Sequence, residues 1–168
     1  MIFVTVGNAT QGFSRLLCAL DSLGQDGFFN DEPVTVQTGN NPPLQASCFQ
    51  STPFITMEDF EAFVADADLI ICHAGVGTLM HVLRQGKIPV VMPRRVKYDE
   101  IINDHQLQIA EAFAAENKII PAYEPPDLKQ AITIARENAR THGILAAGPQ
   151  PPMINLIDQA IQELTHRP

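Results

Sequence analysis

An α/β domain, with a mostly parallel sheet covered by helices on both faces, is the fold that this sequence predicts. Two observations carry that expectation. Short apolar runs alternate with amphipathic helical stretches, which is the order of βαβ units. The runs are apolar at consecutive positions, as in Leu69-Ile70-Ile71-Cys72, so they suit strands buried from two sides. A third observation places a ligand on that sheet. His73-Ala74-Gly75-Val76-Gly77-Thr78 is a glycine-rich turn that opens a helix. The unpaired N–H groups of a helix start, together with the helix dipole, form a site for an anion, and phosphate is the usual occupant.

Taken in order, residues 2–6 read as the first strand. Residues 13–23 read as a helix with Phe13, Leu16, Leu17 and Leu20 on one side, Ser14 near its start and Gly24 as its stop. The loop between them, 7–12, has the outline of the central turn. It is either a second phosphate contact or an ordinary βα connection. Residues 33–37 read as strand two, and 38–43 are dense in turn residues. Residues 44–49 stay open between helix and strand. Residues 54–57 read as extended, and 58–67 as a helix with Phe60, Phe63 and Val64 toward the core. The central unit follows, with a strand at 69–72, a helix ended by Gly86 and a strand at 88–92. A charged loop leads to a helix that Asn103 or Asp104 would cap and that runs through Phe113. Residues 118–121 read as a short strand, and 128–140 and 153–164 as helices. No internal repeat or long linker divides residues 1–168, so one domain is expected. In such sheets ligands sit beyond the carboxyl ends of the strands, where the loops 7–12, 73–78 and 94–106 can converge.

Composition narrows the function. The 168 residues include 11 basic and 19 acidic side chains, for a net charge of −8. An acidic chain without a basic run is a poor fit to nucleic acid or to an anionic membrane surface. No apolar run reaches the roughly 18 residues of a membrane span. The opening residues carry no basic stretch and read as a strand, not as a secretion signal. Three widely spaced cysteines are no disulfide framework. Cys18 and Cys72 lie in apolar segments and read as buried thiols of a reducing, cytoplasmic protein. Arg94 and Arg95 read either as partners of a diphosphate or as a solvated pair. Asp99 and Glu100 read as solvated acids, with no metal or cofactor expected.

The motif His73–Thr78, followed by Gly86-Lys87-Ile88-Pro89 and Asp104-His105-Gln106, resembles the C-terminal domain of glycosyltransferase family 28. That domain is the donor-binding half of a GT-B enzyme. Small members of the family consist of this half alone. They include the small subunit of the two-part dolichol-pathway UDP-GlcNAc transferase and PssE-type bacterial exopolysaccharide proteins. The resemblance covers most of residues 1–121. It implies that Gly75, Gly77 and Thr78 hold the diphosphate, with His73 beside it. It implies further that Gly7, Asn8 and Thr10 close over the phosphates. Phe54 and Ile55 would contact the base, and Asp104 and Gln106 would face the donor sugar. The family's ribose-binding Glu is replaced here by His81, which lacks a carboxylate's paired acceptors and charge.

The implied activity is transfer from a UDP-sugar to a lipid-linked acceptor in glycan or polysaccharide synthesis. No residue declares itself as the general base, so a membrane-anchored partner subunit is expected to bind the acceptor and recruit the chain to the inner face of the membrane. The alternative is a non-catalytic accessory subunit, which His81 favours. A nucleotide-sugar epimerase on the same half-fold ranks third.

Overall fold

The computed structural model describes residues 1–29 and 32–142. The expected helix at 153–164 lies outside them. Among the described residues the chain runs β1 (Ile2–Thr5), α1 (Ser14–Gln25), β2 (Val34–Gln37), β3 (Phe49–Thr52), α2 (Met57–Asp66), β4 (Leu69–His73), α3 (Val76–Arg84), β5 (Val90–Met92), α4 (His105–Ala115), β6 (Ile120–Pro121) and α5 (Asp127–His142). The six strands form one parallel sheet in the order β3-β2-β1-β4-β5-β6. The predicted fold class is therefore the observed one.

Strand alternation sorts the core into two layers. Ile2, Val4, Leu69, Ile71, Val90 and Met92 face α1 and α5, where Leu16, Leu20, Leu128 and Ile132 meet them. Phe3, Ile70, Cys72 and Val91 face α2, α3 and α4, against Val64, Leu79, Val82 and Ala110. Phe3 stacks on Phe63 and meets Phe60 edge-on, so the two aromatic residues expected on α2 do face the sheet.

Two devices hold α2. Thr56 Oγ1 accepts from the Asp59 amide at the start of the helix, at 3.0 Å. At its end the Lys87 ammonium donates to the carbonyls of Val64, Ala65 and Ala67 at 2.5–2.7 Å, so the helix terminus carries a cation.

Several expectations change. β3 shares only Phe49 with the stretch that local pattern left open and runs on to Thr52, and Met57, expected to be extended, opens α2. Gly24 lies inside α1 and is not its stop. A Cβ there would come within 2.5 Å of the Phe49 ring, so the glycine lets the helix approach β3. Cys18 is exposed, because it falls on the outer side of α1; Cys72 is buried and burial pushes its thiol up to about 12. Glu100 is buried at 4 % exposure, not solvated.

Candidate functional site

The strand order reverses between β1 and β4. The chain builds β2 and β3 to one side of β1, and β5 and β6 to the other side of β4. The loops after β1 and β4 therefore diverge and open a crevice at the carboxyl edge. Gly7, His73 and Gly75 meet there. The His73 ring fills the space a side chain would need on either glycine. A Cβ on Gly7 would stand 2.5 Å from His73 Cε1, and one on Gly75 would stand 2.3 Å from Nε2. Gly7 also has φ +73°, a region costly for residues with a Cβ. These glycines thus make room for an imidazole of the protein itself.

His73 Nδ1 is buried and has no hydrogen-bond partner among the described residues. Burial lowers the His73 pKa from an ordinary 6.5 to about 4, helped by the positive charge of Arg94; the Thr5 backbone opposes the shift as the smallest of the three effects. The ring is neutral at physiological pH, with one nitrogen protonated and one free to accept. The unfolded chain takes up the proton first as pH falls, so His73 contributes stability above about 6.5 and loses it progressively down to about 4. From neutral pH to pH 4 the native chain is expected to lose roughly 3 kcal/mol more than a His73→Asn variant. Denaturant titrations at both pH values test this, and equal losses in the two proteins would refute it.

Next to His73, α3 begins at Gly75. The Leu79 amide donates to the Gly75 carbonyl at 2.9 Å, and the amides of Val76, Gly77 and Thr78 precede this bond. A Cβ on Gly77 would meet nothing within 4 Å. The first turn of α3 therefore offers free N–H groups and open space together, as an anion requires.

Arg94 is placed otherwise than expected. It is fully buried, with its guanidinium 4.7 Å from the centre of the Phe13 ring. Nη1 donates to the carbonyls of Gln11, Gly12 and Glu100 at 3.0–3.1 Å, and Nη2 to that of Val6 at 2.9 Å. Only Nε lacks an acceptor among the described residues. Arg94 is thus neither a phosphate ligand nor a solvated side chain. It ties the loop after β1 to the loop after β5. Arg95 instead pairs with Glu124 at 3.0 Å.

Residues 1–146 match the glycosyltransferase family 28 C-terminal domain. The chain belongs to this family. It is 28 % identical over 125 residues to the UDP-N-acetylglucosamine transferase subunit ALG13 of Homo sapiens, which covers 70 % of this chain and 10 % of the relative. It is 29 % identical over 123 residues to the UDP-N-acetylglucosamine–N-acetylmuramyl-(pentapeptide) pyrophosphoryl-undecaprenol N-acetylglucosamine transferase of Citrifermentans bemidjiense, covering 70 % of this chain and 33 % of that one. The chain thus spans between a tenth and a third of the length of these relatives. The crystal structure of Acinetobacter baumannii MurG superposes with a TM-score of 0.54 at 24 % identity, over 84 % of this chain and 48 % of that one, a likeness of fold.

Within this family 28 domain the remaining expected residues are dispersed. Asn8 Oδ1 accepts from Gln37 Nε2 at 2.9 Å, and Thr10 is exposed beside it. Gln106 is buried and its Oε1 accepts from the Arg94 amide at 3.2 Å. Asp104 precedes α4 but does not cap it. Its Oδ1 accepts from the Val96 amide at 3.0 Å, while Asn103 Oδ1 accepts from the amide of His105. Phe54 is half exposed after β3, and Ile55 packs at the margin of the core. His81 is turned toward α2. Its ring meets Phe60 edge-on at 5.6 Å, and Nδ1 lies 3.8 Å from Glu61 Oε1. Sequence reasoning missed Arg15, Gln37 and Asn40, which hold the site loops. The one signal for Gln37 was an amide side chain at the carboxyl end of a strand, next to the turn-rich stretch 38–43.

Proposed function

We propose that this chain is the donor-binding subunit of a glycosyltransferase. It binds a UDP-sugar at the β1/β4 crevice and, with a membrane-anchored partner, transfers the sugar to a lipid-linked acceptor. The observation that carries this reading is the junction of the open first turn of α3 with the buried His73 ring, whose Nδ1 lacks a partner among the described residues, in a family 28 domain. The diphosphate sits on the amides of Val76, Gly77 and Thr78. Gly7, Asn8 and Thr10 close over it, Phe54 and Ile55 meet the base, and Asp104 and Gln106 meet the sugar.

Transfer builds negative charge on the departing UDP. Fixed N–H groups at a helix start stabilise that charge without rearranging. Neutral His73 donates or accepts a hydrogen bond there, and its low pKa makes it a poor base. The base that deprotonates the acceptor hydroxyl therefore belongs to the partner. The same partner would hold the lipid-linked acceptor; among the described residues no helix is long and apolar enough to cross a membrane. The relatives' names make UDP-N-acetylglucosamine the first donor to test.

Gly77 supplies the test. Its open surroundings let Gly77→Asp fold, and the carboxylate occupies the place of the phosphate. Calorimetric titration is expected to show UDP binding by the native chain, weakened at least about tenfold in Gly77→Asp through like-charge repulsion. Absent binding by the native chain at millimolar UDP would favour the second reading, an accessory subunit. His81 is the observation on that side, since its imidazole is engaged with Phe60 and Glu61 on α2.

A further inference from the structure

The loop between β1 and α1 has an unusual hydrogen-bond balance. Its carbonyls are almost all taken by side chains from elsewhere. Arg94 holds those of Val6, Gln11 and Gly12 at 2.9–3.0 Å. Gln37 Nε2, at the end of β2, donates to that of Gly7 at 3.3 Å. Asn40 Nδ2 reaches those of Ala9 and Thr10 at 3.3 and 3.5 Å. The amides at the two ends are also satisfied, Gly7 by Thr5 Oγ1 and Phe13 by Asn41 Oδ1. The five between them, on Asn8, Ala9, Thr10, Gln11 and Gly12, donate to no acceptor among the described residues. A peptide loop carries equal numbers of donors and acceptors, so a loop whose acceptors alone are neutralised presents net positive polarity.

We infer that Arg94, Gln37 and Asn40 are positioning residues for the donor diphosphate. They bind the carbonyls of the 6–12 loop and leave its amides for phosphate oxygens, without touching the ligand themselves. This rests on the donor reading above. Gln37 is itself held, since its Oε1 accepts from Thr5 Oγ1, so its Nε2 is directed at the loop. Arg94 acts in two ways. It fixes three loop carbonyls, and its buried cation lies behind the same loop. Its backbone amide meanwhile donates to Gln106, which ties α4 to the arrangement. The chain thereby uses an arginine to bind phosphate through an intervening loop, where direct contact would place the charge in solvent and weaken it.

The experiment compares UDP with uridine on the native chain, Arg94→Lys and Asn40→Ala. A lysine keeps the charge of Arg94 but cannot span the four carbonyls. Asn40 is exposed, so Asn40→Ala folds even if Arg94→Lys does not. In amide NMR spectra of the native chain, UDP is expected to shift residues 8–12 as well as Gly77 and Thr78, and uridine is expected to leave residues 8–12 unmoved. Arg94→Lys is expected to weaken UDP about tenfold and Asn40→Ala about threefold, with uridine binding unchanged, as for loss of one well-placed hydrogen bond or part of one. UDP binding that leaves residues 8–12 unmoved, or variants that weaken UDP and uridine alike, would overturn the inference alone. A native chain that binds no UDP would overturn the donor reading and this inference with it.

Discussion

Replacing Arg15 with Met is expected to destabilise the chain by about 3–5 kcal/mol, the cost of leaving one partner of a buried ion pair alone. Arg15 reaches from α1 to the far side of the site. Its Nε and Nη2 grip the two carboxylate oxygens of Glu100 at 3.0 and 2.9 Å. Nη1 donates to the Tyr123 carbonyl and Nη2 to that of Pro93, both at 2.7 Å, and the guanidinium lies 4.7 Å from the Tyr98 ring centre. Without it the Glu100 carboxylate keeps, among the described residues, the Arg95 amide at 3.0 Å and the attraction of the buried Arg94 cation. Burial then works against a charge that has lost its bidentate partner. The double variant Arg15→Met, Glu100→Leu removes both charges and is expected to recover most of the loss, since a buried ion pair replaced as a unit by apolar groups is often near neutral. Denaturant midpoints of the single and double variants decide. A single variant within about 1 kcal/mol of the native chain would show that the pair behaves like a surface salt bridge.

Ala at Gly7 or Gly75 is expected to cost about 1–3 kcal/mol through collision with His73, which is the scale of overpacking a filled core. The two sites differ in a way that isolates the cause. Gly75 has φ −76°, open to any residue, so its whole penalty comes from the Cβ placed 2.3 Å from the imidazole. Gly7 has φ +73°, so it carries a backbone penalty of roughly 1–2 kcal/mol in addition. Removing the ring with His73→Ala should therefore relieve Gly75→Ala almost completely and Gly7→Ala only in part. A double-mutant cycle measures this coupling. If Gly75→Ala and His73→Ala simply add, the glycine serves something other than the ring.

These two predictions concern residues that local pattern ranked very differently. Gly7, His73 and Gly75 stood out at once, because a glycine-rich turn between an apolar run and a helix has few other meanings. Most of the strands and the start of α3 were legible for the same reason, whereas β3, with the sequence Phe49-Gln50-Ser51-Thr52, carries no apolar run and was not. Each legible element is written in residues close together in the chain. The pairing of His73 with the glycines was not visible, since it needs β1 and β4 to be neighbours, and that follows from the reversal of strand order.

The charged residues were the least legible. Arg94 read either as a partner of a diphosphate or as a solvated side chain, Glu100 read as a solvated acid, and nothing in the local pattern singled out Arg15. Their partners lie 82 to 88 residues away along the chain, for Arg94 on the loop after β1 and for Arg15 on Glu100. An arginine beside a glycine-rich loop has the same local signature whether it faces ligand or backbone. Which carbonyls it meets depends on how the sheet closes, because a buried guanidinium must find acceptors wherever packing leaves them. Local sequence was enough for most of the elements and for the turn that opens α3. The direction of every charge around that turn came from the folded chain, where desolvation forces each buried ion to its partner.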